Sequence, residues 1–360
     1  MTTASETDVN YDGKQTIDAW YYMVDLPLSS FVKMIGGARY ETTELSVTLD
    51  PESKVFWVPP TGGASTYLNP GEGDVDFKQE DVLPSLGFEF QPVDSFKLRA
   101  SYSETVARQT FKEMTPIQQM EYLGSDIFIG NPALAMAAIK NYDLRLDYTP
   151  YDGGLISVSW FKKDVTDPIE YTQDYAENIG EYVKPVNYPE GTLTGYEAEF
   201  RQQLGHFCNA LDGLGVGLNA TFIKSEVTVS EEDQVQFQTY GYPQSTRDML
   251  NTPEYLFNIN MTYDLDKTGT RLGLFYTVQG DTLLTGPNVN RHVPSVYSTP
   301  YGTLNFSLSQ KIGEHWTLGF KAKNLLNPEI NTVYREEDVD VPKTSYTKGR
   351  EFSISLAYEF

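Results

Sequence analysis

The chain divides into thirteen segments of alternating polarity, and the connections between them are alternately short and long. The segments fall near 15–26, 31–48, 80–91, 95–106, 139–150, 153–166, 192–204, 214–226, 253–264, 269–280, 299–310, 315–326 and 349–360. Short links lie at 27–30, 92–94, 151–153, 205–213, 265–268 and 311–314. Long ones lie at 49–79, 107–138, 167–191, 227–252, 281–298 and 327–348. Most segments exceed the 5–6 residues or so of a globular strand. They match the roughly 9–11 residues that a tilted strand needs to cross a bilayer. A soluble β-sandwich also alternates apolar and polar faces, but nothing in it requires such regular alternation of link length. Short turns on one side and long loops on the other are the arrangement of a transmembrane β-barrel.

The last nine residues sharpen this. Phe352, Ile354, Leu356, Tyr358 and Phe360 share one face of a strand, and Ser353, Ser355, Ala357 and Glu359 the other. A chain end usually frays, whereas a barrel-sealing strand has lipid on one side and a polar lumen on the other. The 25 Tyr and 19 Phe suit the aromatic girdles of such a wall. No run approaches the 18 or so apolar residues of a membrane helix. The net charge of −23 argues against nucleic acid as a partner. Cys208 is the only cysteine, so an internal disulfide is excluded. His206, His292 and His315 are too scattered to read as a metal site. Gly213-Leu-Gly-Val-Gly217 leads into a strand and so lacks the helix terminus of a dinucleotide loop. No nucleophile or metal-protease motif occurs, so neither enzyme nor cofactor is expected.

Several segments, in order, resemble the C-terminal barrel of TonB-dependent outer-membrane receptors. Leu98-Arg-Ala-Ser-Tyr-Ser-Glu-Thr-Val-Ala-Arg108 is similar to that family's R-x-S-x-S-x-T-x-A-R-P run, with Gln109 in place of Pro. Ile129-Gly-Asn-Pro-Ala-Leu134 and Asn141-Tyr-Asp-Leu144 resemble G-N-P-x-L and N-Y-D-L, although Ala135-Met136 stands where the family has Pro-Glu. Ser159 to Ile169, Thr194-Gly-Tyr-Glu-Ala-Glu199, Lys323-Asn-Leu-Leu-Asn327 and the closing strand are further matches. The likeness runs from about residue 80 to the end; residues 1–79 match only in strand character.

The resemblance implies an all-β, antiparallel, up-and-down transmembrane barrel, with these residues supplying about thirteen of 22 strands. It implies a Gram-negative outer-membrane location and import of a ferric siderophore, a cobalamin or an oligosaccharide with energy from the TonB complex. The family also carries an N-terminal plug and a TonB box. Neither is found in residues 1–360, thirteen is odd where bacterial barrels are even, and no secretory signal opens the chain. The chain therefore reads as the C-terminal part of a longer protein. Partners expected are outer-membrane lipid, the barrel-assembly machinery, TonB through the missing part, and a small nutrient. A plug-less diffusion channel and a soluble carbohydrate-binding β-protein are the alternatives.

Candidate ligand contacts lie in loops 107–138, 167–191 and 227–252: Arg108, Tyr171, Tyr175, Tyr182, Tyr188, Tyr240, Tyr242 and Arg247. Tyrosines stack on sugars or aromatic chelates, but loop packing across the mouth is the favoured reading. Arg108, Arg247, Arg291 and Arg335 could meet an anion, with pairing to the abundant acids favoured instead. The acids Glu231-Glu-Asp233 and Glu336-Glu-Asp-Val-Asp340 read as solvated loop in preference to cation bridges. Phe352, Ile354, Leu356, Tyr358 and Phe360 resemble the terminal signal read by the assembly machinery. Trp316, Leu318 and Phe320 should face lipid, with Leu318 near mid-membrane.

Overall fold

Residues that alternate apolar and polar every second position can satisfy both a lipid face and a wet face only as strands, and all thirteen segments are strands. The computed structural model describes residues 9–51, 56–59, 65–120, 124–241, 243–265, 267–336 and 339–360. The wall strands are β1 (Val9–Pro27), β2 (Val32–Pro51), β3 (Val75–Val93), β4 (Phe96–Ala107), β5 (Ala137–Tyr148), β6 (Leu155–Thr166) and β7 (Glu190–Gln203). They continue as β8 (Leu214–Thr228), β9 (Tyr255–Leu265), β10 (Thr270–Gln279), β11 (Tyr301–Ile312), β12 (Trp316–Lys323) and β13 (Glu351–Tyr358). Each pairs antiparallel with the next in sequence, giving an up-and-down sheet. Within the described residues β1 and β13 each have one wall neighbour, so the sheet has two edges and is not closed. No described helix is long and apolar enough to cross a membrane, which does not bear on crossing by strands.

The register is what turns thirteen separate patterns into one surface. Leu26, Met34, Phe88, Ala100, Leu144, Trp160, Tyr196, Phe222 and Tyr255 lie side by side across nine strands. Leu308, Phe320 and Ile354 continue the outward face to β13. A slip of one residue anywhere would turn a strand inside out. The exposed side chains of Phe352, Ile354, Leu356, Tyr358 and Phe360 are part of this band. Leu318 faces outward as expected, but it stands only two residues from the turn-side end of β12 at Trp316, so it is near the band's edge. Ile259, central in β9 between Leu218 and Tyr276, is a mid-band residue.

The long connections are not bare loops. They carry three small sheets of their own: one of Gln118–Gln119, Phe128–Ile129, Gly180–Asn187 and Ile169–Ala176, a second of Thr282–Thr285, Ser295–Ser298, Ile330–Glu336 and Val339–Tyr346, and a two-stranded one of Phe56–Trp57 and Thr66–Tyr67. Two short helices, α1 (Phe111–Met114) and α2 (Glu231–Thr239), complete them. Glu231, Glu232 and Asp233 form the first turn of α2 behind the Ser230 cap, where carboxylates are favoured by the helix dipole. Among the described residues no group of three or more His, Cys, Asp or Glu is placed to hold a metal ion.

A candidate ligand-binding mouth

The inward face changes character along the strands. Toward the short turns it is a ladder of charge: Lys97 to Glu89 at 3.2 Å, Arg99 to Asp147, Asp147 to Arg145 at 2.8 Å, Arg145 to Glu199 at 2.8 Å, and Glu199 to Arg201 at 2.7 Å. The Arg145–Glu199 link passes over β6 at Ser157, a side chain small enough to lie buried beneath it. Several motif residues take their meaning here. Glu199 closes the ladder, Glu197 accepts from Asn219, and Gly195 leaves room for the Phe161 ring directly opposite. Asn141 donates to Thr105 at 3.1 Å and accepts from Lys163 at 2.6 Å. Asn324 and Asn327 both have positive φ, a conformation asparagine tolerates, and Asn324 ties the end of β12 to Gly349.

Toward the long connections the same face becomes apolar. On β2, Arg39, Glu41 and Thr43 give way to Leu45, Val47 and Leu49, which are buried against Trp57, Leu68, Met114 and Ile117. On the other side of the mouth Val165 and Val227 pack with Tyr188, Val229, Phe237 and Met249. Each cluster is a small core holding loops inward over the lumen.

The hairpin of Ile169–Ala176 and Gly180–Asn187 is the central strut. Its Gln173 side chain donates to the carbonyls of Gly286 at 3.0 Å and Pro294 at 2.8 Å, and its own Pro185 carbonyl accepts from the Asn131 side-chain amide at 3.2 Å. The Asn131 of the Gly-Asn-Pro motif is thus a loop clamp, and Gly130 allows close approach to the Thr115 carbonyl. At the strut's base Glu170 accepts from Arg247 at 2.8 Å and from the Leu250 amide, with both side chains almost fully buried. Burial raises the Glu170 carboxyl above its ordinary value; Arg247 pulls it back only in part.

The sequence-selected residues separate accordingly. Arg108 pairs with Glu41 and donates to Thr43 at 3.1 Å. Tyr171 donates to Glu113 at 2.8 Å and meets Phe128 edge-on. Tyr182 donates to Asp174 at 3.2 Å and Tyr188 to Asp233 at 2.9 Å; burial, with those carboxylates nearby, raises both phenols and keeps them protonated donors. Tyr175 is partly open beneath Arg291, whose guanidinium lies 3.7 Å from its ring centroid. Tyr242 lies outside the described residues. Tyr240 opens onto a cavity of about 570 Å³, together with Val289, His292, Pro294, Tyr297 and Arg335. Tyr240 and His292 meet edge-on at 4.6 Å, and Arg335 lies over Tyr297 while forking to Asp281 and Asp340. A second cavity of about 400 Å³ opens beside Arg247, Asp248 and Glu254. His292 and Tyr297 were not among the sequence candidates, because loop 281–298 holds no run of tyrosines to draw attention.

The TonB dependent receptor-like β-barrel family profile matches residues 2–325. The chain belongs to the TonB-dependent receptor family. That places it in the outer membrane, with the short turns facing the periplasm and the mouth outside the cell. The solved TonB-dependent receptor structures that it resembles share the fold at low identity. The FrpB iron transporter of Neisseria meningitidis aligns at 13% identity and TM-score 0.59, over 98% of this chain and 46% of that one. The ferric yersiniabactin uptake receptor FyuA of Yersinia pestis aligns at 15% and 0.61, over 98% and 47%. The ferric-catecholate import receptor Fiu of E. coli K12 aligns at 13% and 0.61, over 97% and 45%. The chain thus spans about half the length of these receptors. No curated protein matches it in sequence.

Proposed function

We propose that this chain forms wall and mouth of a receptor that imports a ferric chelate, with energy delivered by the TonB complex to the complete protein. The observation that carries the reading is the mouth cavity. Its volume falls within the roughly 300–1,000 Å³ of small-molecule sites, and it combines aromatic rings with an arginine. Tyr240, His292 and Tyr297 offer rings for a planar chelate, while Arg335, held by Asp281 and Asp340, braces the wall behind them. Receptors for ferric chelates among its structural neighbours support the same choice over cobalamin or an oligosaccharide. No catalytic step is part of this reading.

Residues 1–360 are proposed to be the C-terminal portion of the barrel, with further strands closing the edges of β1 and β13. An open edge in lipid would leave backbone groups unpaired at several kcal/mol each. The test is uptake of iron-55 chelates by the native host. Tyr240→Ala with His292→Ala is expected to weaken chelate binding about tenfold or more, since each ring supplies on the order of 1 kcal/mol, while receptor abundance stays unchanged. Uptake that ignores both substitutions and continues without TonB would mean a passive channel instead.

Assembly gives a separate expectation. Phe360 and Tyr358 meet edge-on at 5.1 Å, and both are exposed beside the β13 edge. Phe360→Ala should lower the heat-modifiable, folded receptor in membranes without lowering synthesis, as loss of a contact to the barrel-assembly machinery. Normal assembly of that variant would remove this role.

A further inference from the structure

Charge on the outward face of the wall is confined to one end. Along the paired strands, outward-facing lysines occur only toward the long connections: Lys14, Lys78, Lys140, Lys162 and Lys224. Below Lys140, Lys162 and Lys224 the lipid-facing positions carry no charge as far as the periplasmic turns, whereas Asp18 and Glu80 lie below Lys14 and Lys78. Two of these lysines share a cross-strand row. Lys162 on β6 lies opposite Thr194 on β7, which lies opposite Lys224 on β8. The row directly beneath, nearer the membrane, is Trp160, Tyr196 and Phe222. Neighbouring strands are about 4.8 Å apart, so the two lysine backbones stand about 10 Å apart with a hydroxyl between them.

These lysines are available. Lys224 is exposed and makes no ion pair among the described residues. Lys162 pairs at 3.0 Å with Asp164 on its own strand, with both side chains more than a third exposed. Such a surface pair is weak and exchangeable. One row further out, Asp164 and Glu226 flank Thr192. Divalent cations between phosphorylated lipids would find oxygen ligands there.

We infer that Lys162, Thr194 and Lys224 form a docking site for the phosphorylated headgroup of an outer-leaflet glycolipid, whose acyl roots lie against Trp160, Tyr196 and Phe222. The depth decides the occupant. The lysines sit where the apolar band ends, which is where headgroup phosphates lie, and the rings below them are those of an interfacial girdle. A soluble anion would not need that girdle.

The test uses the receptor purified from outer membranes in maltoside micelles, with diphosphoryl lipid A and its dephosphorylated counterpart as probes in native mass spectrometry. Wild type should retain the diphosphoryl lipid preferentially. K162A with K224A should weaken that retention about 30-fold, from roughly one lysine's worth of headgroup attraction lost at each position. It should leave the dephosphorylated lipid unaffected. K321A, which removes an inward-facing lysine on β12, should change neither. Equal retention of the two lipids by wild type would overturn the proposal, and needs no variant to assemble. So would unchanged affinity in K224A, which removes the lysine that has no partner.

Discussion

Ile259→Arg is expected to destabilise the assembled wall by about 2–4 kcal/mol, the cost of a cation at the bilayer midplane. Ile259 lies outward between Leu218 and Tyr276 in the middle of β9, with no charged neighbour in its row. Asn260→Arg, one residue on, points into the lumen beside Gly217 and Phe275 and should cost far less. Urea titration of the folded, heat-modifiable form in lipid vesicles measures both. Equal losses would mean that the inward and outward faces are assigned wrongly, and with them every row described above.

The second large effect is expected at the mouth. Arg247→Ala would strand Glu170 at 1% exposure without its cation, and breaking one side of a buried pair costs about 3–5 kcal/mol. The loss should be local. The hairpin at 169–187 and the loop carrying Arg247 should lose hydrogen-exchange protection while β1–β13 keep theirs. Unaltered protection in the hairpin would show that Gln173 and the apolar clusters suffice to hold it. The pH dependence has a definite sign. Because burial raises the folded carboxyl of Glu170 above 4.5, its stabilising contribution is complete below that value and is lost as pH rises through the raised one. The mouth should therefore tighten, not loosen, under mild acid. Glu170→Gln should flatten that response, and tightening that persists in this variant would assign it to another group.

The wall was legible because lipid and lumen impose a period of two on every strand, and thirteen strands repeat the signal. The mouth was not, because its residues answer to each other across the sequence. Thr172 and Gln173 read as polar loop, yet they bond to residues 113 or more positions away. Tyr182 and Tyr188 look like ligand tyrosines, and nothing in the sequence says that Asp174 and Asp233 take their hydroxyls. The pairing of Arg108, Arg247 and Arg335 with acids was foreseeable from the excess of carboxylates; which acid each meets was not. His292 and Tyr297 were invisible because their cavity is assembled from three separate loops.

Leu45, Val47 and Leu49, with Val165 and Val227, have a consequence for the order of biogenesis. They belong to strands, but their shelter comes from loops that lie outside the membrane once the wall is inserted. Until then these side chains are sticky patches on a chain in transit through the periplasm, next to β-prone segments that invite association. The apolar rim of the wall is therefore buried only when the loops above it have folded, so the wall's upper edge and the mouth reach their final packing together.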